Sequence, residues 1–158
     1  MRIPKIYIET SVFNHAVSDQ SPENRKNTLK LFEEIKNGKF IPFTSDYVTE
    51  EIDKASYEKR EEMRGLIPGY NIRNLQKTEE IERLADKYLE EKIIPEKYRT
   101  DALHIAAAAV NDLDIIVSWN FKHIVKRNTI IMTELVNKRN GYKKVDIYSP
   151  REVTDDGK

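Results

Sequence analysis

The sequence predicts an α/β fold built on a parallel sheet with helices on both faces. Three observations predict it. Short β-branched and aromatic runs recur along the chain, capped helix-like segments separate them, and one run, residues 114–118, is apolar enough to be a fully buried strand. Strands alternating with helices imply βαβ crossovers and hence a parallel sheet. A chain of 158 residues suits one domain with a core of its own. That domain is expected over residues 1–153, with 154–158 a loose tail.

Each element follows from local chemistry. Lys5-Ile6-Tyr7-Ile8 reads as the first strand. Ser21-Pro22-Glu23 opens a helix, with Ser21 as cap, Pro22 in the first turn and Glu23 facing the positive helix end. Its apolar residues are Leu29, Leu31, Phe32 and Ile35, and Asn37-Gly38 ends it. Phe40-Ile41-Pro42-Phe43 is a second strand, in which Pro42 argues for an edge position or an early break. Thr44-Ser45-Asp46 caps a helix expected over about residues 47–62. After Gly65, Pro68 and Gly69, a weak strand is expected at 71–75, then a helix opened by Thr78 that carries Ile81, Leu84, Ala85, Tyr88 and Leu89. Beyond Pro95, Thr100-Asp101 is expected to cap a helix with Ala102, Ile105, Ala106 and Ala109 on its apolar face. Residues 114–118 and 145–148 are the last two strands.

Composition narrows the function classes. There are no cysteines, which excludes disulfides, thiolate metal sites and thiol nucleophiles and suits a reducing cytoplasm. No apolar run approaches a membrane span, and Glu9 and Asn14 interrupt any signal-peptide core. Lys plus Arg number 27 and Asp plus Glu number 27, so bulk charge gives no sign of a nucleic-acid partner. No glycine-rich turn follows a strand, which argues against a phosphate-loop nucleotide binder.

In open parallel sheets, sites gather beyond the carboxyl ends of the strands. The polar residues there are Glu9, Thr10 and Ser11 after the first strand, Thr44, Ser45 and Asp46 after the second, and Ser118, Trp119 and Asn120 after the buried one. Asp101 joins them from the first turn of its helix. At about 100° per residue, Glu51 lies roughly 65° from the centre of the stripe formed by Val48, Ile52 and Ala55, and Glu50 lies roughly 165° away. Glu51 is therefore the inward carboxylate and Glu50 a surface charge. Taken singly, Glu9 reads equally as a cap, Glu51 as an ion-pair partner and Asp101 as a dipole-matching charge. His104, one turn after Asp101, reads more readily as a packed histidine than as a ligand or base. Converging carboxylates without fixed cations repel one another, and a divalent cation resolves that repulsion. An all-oxygen donor set points to Mg2+ or Mn2+, whose chemistry suits phosphodiester hydrolysis by metal-activated water.

These residues resemble those of PIN domains. Tyr7-Ile8-Glu9-Thr10-Ser11-Val12 is similar to the family's opening strand, which usually ends in Asp-Thr-Ser. Thr44-Ser45 followed by Glu50-Glu51-Ile52 is similar to its second acidic motif, and Asp101-Ala102-Leu103-His104-Ile105-Ala106-Ala107-Ala108 to its third. Ile116-Val117-Ser118-Trp119-Asn120-Phe121-Lys122-His123 stands where the fourth appears. The resemblance spans residues 3 to about 153. It implies a three-layer α/β/α sandwich with a central, mainly parallel sheet and a Mg2+- or Mn2+-dependent endoribonuclease. Glu9, Glu51 and Asp101 would hold the metal and, with Asn120, form the catalytic set. Thr10, Ser11, Ser118, Lys122 and His123 would contact substrate.

It further implies a VapC-type toxin of a toxin–antitoxin pair, with an RNA substrate, a small antitoxin and a homodimeric state. Two departures stand out: Glu9 replaces the usual Asp, and neutral Asn120 replaces the fourth acid. The second leaves an alternative, a weakened or inactive module that binds RNA or a protein partner. Lys122, Lys126 and Arg127 read equally as phosphate contacts and as solvated cations. Trp119 and Phe121 read as core, and the helices around Phe32 or Leu84 read either as a partner surface or as core.

Overall fold

The computed structural model describes residues 2–154. Five strands, β1 (Lys5–Ile8), β2 (Ile41–Ser45), β3 (Arg73–Leu75), β4 (Ile115–Val117) and β5 (Asp146–Tyr148), form one sheet in the order β3-β2-β1-β4-β5. Every neighbouring pair is parallel. The helices are α1 (Thr10–Val17), α2 (Pro22–Lys36), α3 (Asp46–Ile52), α4 (Tyr57–Gly69), α5 (Glu79–Glu90), α6 (Arg99–Val110), α7 (Arg127–Arg139) and α8 (Pro150–Val153). Helices α1, α2, α4 and α8 pack among themselves, as do α3, α5, α6 and α7. These are the outer layers of the α/β/α sandwich that the sequence predicts.

The chain runs outward from β1 through β2 to β3, then returns to β4 on the other side of β1. The order of strands therefore reverses between β1 and β4, and a crevice opens at their carboxyl ends. Tyr7, Ile6 and Ile8 on β1 are fully buried, as are Ile116 and Val117 on β4. Alanines 106–108 are also buried to zero exposure, and such small side chains let α6 lie close to its neighbours.

Several local expectations hold. Ser21, Ser45 and Thr78 each accept a backbone N–H as helix caps. Asn37 caps the end of α2 and Gly38 follows at φ +80°, a conformation that favours glycine. β2 lies inside the sheet, yet Pro42 costs no hydrogen bond. Ile41 N–H bonds to Pro4 on the β1 side, so position 42 faces the other side, and β3 begins only opposite Phe43.

Others require correction. The helix expected over 47–62 is two helices, because Lys54 and Ala55 N–H turn back to Glu51 and Ile52 in a tight last turn and Ser56 is extended. Thr100 and Asp101 lie inside α6 rather than capping it: a 3-10 turn at Glu96–Tyr98 leads straight into the helix, with Tyr98 at the cap position. Leu29 is 45% exposed, and Thr28 takes its place in the core, its hydroxyl accepting from Trp119 Nε1. Three helices were not anticipated, α1, α7 and α8. Thr154 is buried, with its hydroxyl donating to Arg151 O, and the rest of the expected tail, 155–158, lies outside the described residues. No helix among the described residues is long and apolar enough to cross a membrane.

Candidate active site

The crevice between β1 and β4 collects most of the polar residues singled out from the sequence. Glu9 ends β1, is 5% exposed, and serves as the N-cap of α1 by accepting from Ser11 N–H. Its Oε1 also accepts from the hydroxyls of Ser11 and Ser118, both at 2.5 Å. Those hydroxyls in turn accept backbone hydrogens, Ser11 Oγ from Trp119 N and Ser118 Oγ from Asn120 N. The loop after β4 is thus stitched to the start of α1, and the carboxylate is fixed by three donors.

Glu51 projects from the last turn of α3 with its side chain 32% exposed. Its Oε1 accepts from Thr10 Oγ1 and lies 2.8 Å from His104 Nε2. Burial pushes the Glu51 carboxyl up, but the His104 hydrogen bond and charge and the Thr10 hydroxyl outweigh it and leave it lowered. Glu50 is exposed and pairs with Lys77 at the surface, as the helical geometry predicts.

Asp101 sits in the first turn of α6, and His123 Nδ1 lies 3.0 Å from its Oδ2. Burial raises its carboxyl first, the negative charge of Glu9 adds to the rise, and His104 and His123 oppose it. The His123 ring stacks on Tyr98 at 4.1 Å, and Lys122 Nζ lies 5.8 Å above the same Tyr98 ring.

Asn120 turns its Oδ1 onto its own loop, where it accepts from the N–H groups of Lys122 and His123. Thr10, Ser11 and Ser118, expected as substrate contacts, spend their hydroxyls on Glu51 and Glu9. His104 is the packed histidine that the sequence suggests, and it also meets the carboxylates. It is fully buried and faces Glu51 while its Nε2 lies 4.0 Å from Glu9 Oε2. Its position one turn after Asp101 on an inward-facing helix was the available signal.

The ligand-capable atoms of Glu9, Glu51 and His104 lie within 4.8 Å of one another. Two oxygens bound to one Mg2+ or Mn2+ stand no more than about 4.2 Å apart, so small side-chain rotations would let Glu9 and Glu51 share a cation. Asp101 falls outside that trio but adds a third carboxylate, one that feels the charge of Glu9. The donor set fits a divalent cation.

Beside this crevice runs an apolar groove of about 670 Å³ whose lining includes Trp119, Phe121, Val125, Arg127, Ile130 and Ile131. Trp119 is buried as expected, whereas Phe121 is 54% exposed. Of the two readings open to Phe32 and Leu84, partner surface or core, the structure bears out the core.

No family model matches the chain, and no curated protein matches it in sequence. Its fold is similar to that of VapC20 of Mycobacterium tuberculosis, described as a toxin that cleaves the Sarcin-Ricin loop. The TM-score is 0.59 at 14% identity, over 89% of this chain and 98% of that one. The shared architecture is the three-layer PIN-like sandwich.

Proposed function

We propose that this PIN-like chain is an endoribonuclease dependent on a divalent cation, Mg2+ or Mn2+, held by Glu9, Glu51 and Asp101. The observation that carries the reading is the meeting of carboxylates from three separate elements at the strand-order reversal. Glu9 and Glu51 lie within 4.8 Å, and Asp101, outside that trio, has its carboxyl raised first by burial and then by the charge of Glu9. A bound cation would polarise the RNA phosphodiester and make a water molecule easier to deprotonate.

The chain's own residues supply position. Ser11 and Ser118 fix Glu9, Thr10 and His104 fix Glu51, and His123 fixes Asp101. Lys122 and the Tyr98–His123 stack stand at the rim, where a cation and aromatic faces suit phosphate and a single-stranded base. Asn120 shapes the loop that carries Lys122 and His123 and completes the catalytic set without adding charge.

The likeness to VapC20, itself a toxin, supports a toxin role, and with that role we infer a toxin–antitoxin pair, a cytoplasmic homodimer and a small antitoxin that neutralises it. The groove containing Phe121 and Ile131 is an apolar surface suited to such a partner.

Structured RNAs incubated with Mg2+, Mn2+ or EDTA test the reading. Cleavage is expected with the cations and lost with EDTA and in Asp101→Ala. Cleavage that survives either condition at equal strength refutes it. The neutral Asn120 favours a second reading, a weakened or inactive module that binds RNA or a protein partner. That reading requires no bound cation and no cleavage, even in Asn120→Asp.

A further inference from the structure

A buried chain of polar atoms runs from the end of β2 to the Glu51 carboxylate. Ser45 Oγ lies 2.7 Å from Tyr7 Oη, and Tyr7 Oη lies 2.6 Å from His104 Nδ1. Across the ring, His104 Nε2 lies 2.8 Å from Glu51 Oε1. Ser45, Tyr7 and His104 are all fully buried. Distance alone would make His104 a third ligand beside Glu9 and Glu51.

Building on the cation site proposed above, we propose instead that His104 is a positioning residue. It keeps a hydrogen on Nε2, aims Glu51 at the cation and is not itself a ligand. An ionised carboxylate can only accept, so the ring atom facing it at 2.8 Å must carry the hydrogen. The same Oε1 also accepts from the Thr10 hydroxyl, as a carboxylate oxygen does. The Glu9 oxygen at 4.0 Å is beyond hydrogen-bond reach, so the donor belongs to Glu51 alone.

The far side of the ring fits the same assignment. A phenol keeps its hydrogen at neutral pH and can donate or accept. With His104 neutral, hydrogens point one way along the chain: Ser45 to Tyr7, Tyr7 to Nδ1, and Nε2–H to Glu51. Ser45 Oγ is left to accept from Val48 N–H, which it does as the cap of α3. With His104 cationic, Nδ1–H donates to Tyr7 and Tyr7 turns its hydrogen to Ser45. Nε2–H faces Glu51 in both states. Ligation would move that hydrogen to Nδ1, reverse the chain and leave a lone pair facing the carboxylate. Carboxylates that hold a metal are themselves commonly held by hydrogen bonds from outer residues, the role assigned here to His104.

The test is nitrogen-15 NMR of histidine-labelled wild-type protein, metal-free and then with Mg2+. A protonated Nε2 is expected in both samples. An unprotonated Nε2 in the metal-free protein, or loss of its hydrogen on adding Mg2+, overturns the proposal. Mn2+ calorimetry supplies the second arm. His104→Gln keeps an N–H for Glu51 and is expected to hold affinity within about threefold, while His104→Leu is expected to lose about 10–100-fold. Equal losses in both variants overturn the positioning role. If wild type binds no Mn2+, the cation reading fails and the positioning role with it. The metal-free spectrum still shows separately whether the proton was assigned correctly.

Discussion

Glu51→Gln should separate the stability of the fold from the affinity of the site. In the metal-free protein the Glu9 and Glu51 oxygens lie within 4.8 Å. At an effective dielectric constant near 20, two unit charges at that distance repel by roughly 3–4 kcal/mol. The Nε2–H of His104 and the Thr10 hydroxyl take up part of that repulsion. A glutamine removes it and still accepts from Thr10 and His104 through its amide oxygen. The variant's metal-free melting temperature is therefore expected to match or exceed that of the wild type. Its response to metal should be the opposite. At a hundredfold excess over Kd, Mn2+ adds about 2.7 kcal/mol to a protein that binds it only when folded. For a chain of this size that is a rise of about 5–10 °C. Scanning calorimetry with Mn2+ and then excess EDTA is the assay. Wild type should show the rise and its reversal, and Glu51→Gln should show almost none. A variant that melts lower without metal and keeps the full Mn2+ rise would refute the reasoning, because Glu51 would then be a structural charge and not a ligand.

Three further outcomes are expected. Tyr88, fully buried on α5, donates to Asn137 Oδ1 on α7, so Tyr88→Phe should cost about 1–3 kcal/mol in urea unfolding by orphaning that oxygen. The Arg2 guanidinium, aided by Lys5 N–H and Lys143, holds the Asp114 carboxyl well below the usual range. A depressed folded pKa means its stabilisation is present above the unfolded value of 3.8 and is lost as pH falls below it, so Asp114→Asn should flatten the acid limb of the stability profile. Lys92, just past α5, has φ +58°, and Lys92→Gly should raise stability by about 1 kcal/mol, readable as a rise of a few degrees in melting temperature.

What was legible in the sequence was what local chemistry decides. Ser21, Ser45 and Thr78 announce their helices because a cap acts within three residues, and β1 and β4 announce themselves through unbroken apolar runs. Helix α1 was hidden because its cap is a glutamate that directly ends a strand, leaving no turn to mark the start. Helix α7 was hidden because its buried positions include Thr129, Thr133 and Asn137, polar residues that satisfy themselves on His123 O, Thr129 O and Tyr88 and break the apolar period. The site divides in the same way. Glu9, Glu51 and Asp101 were singled out from their places relative to strand ends and helix faces. The pairing of His104 with Tyr7 and Glu51, and of His123 with Asp101, joins residues up to 97 apart, and no local pattern encodes it.

The place of β1 at the middle of the sheet also has a consequence for how the protein comes into being. Glu9 is synthesised before its partner, for the Ser118 hydroxyl that fixes it lies 109 residues later. Closing so long a loop is slow and entropically costly, and β4 can be inserted beside β1 only after α6 has been made. The site therefore cannot mature piecemeal as the chain lengthens. A nascent chain that ends before β4 holds the first acid without the strand that completes its setting, so the order of the strands itself defers assembly of the crevice until the fold is nearly whole.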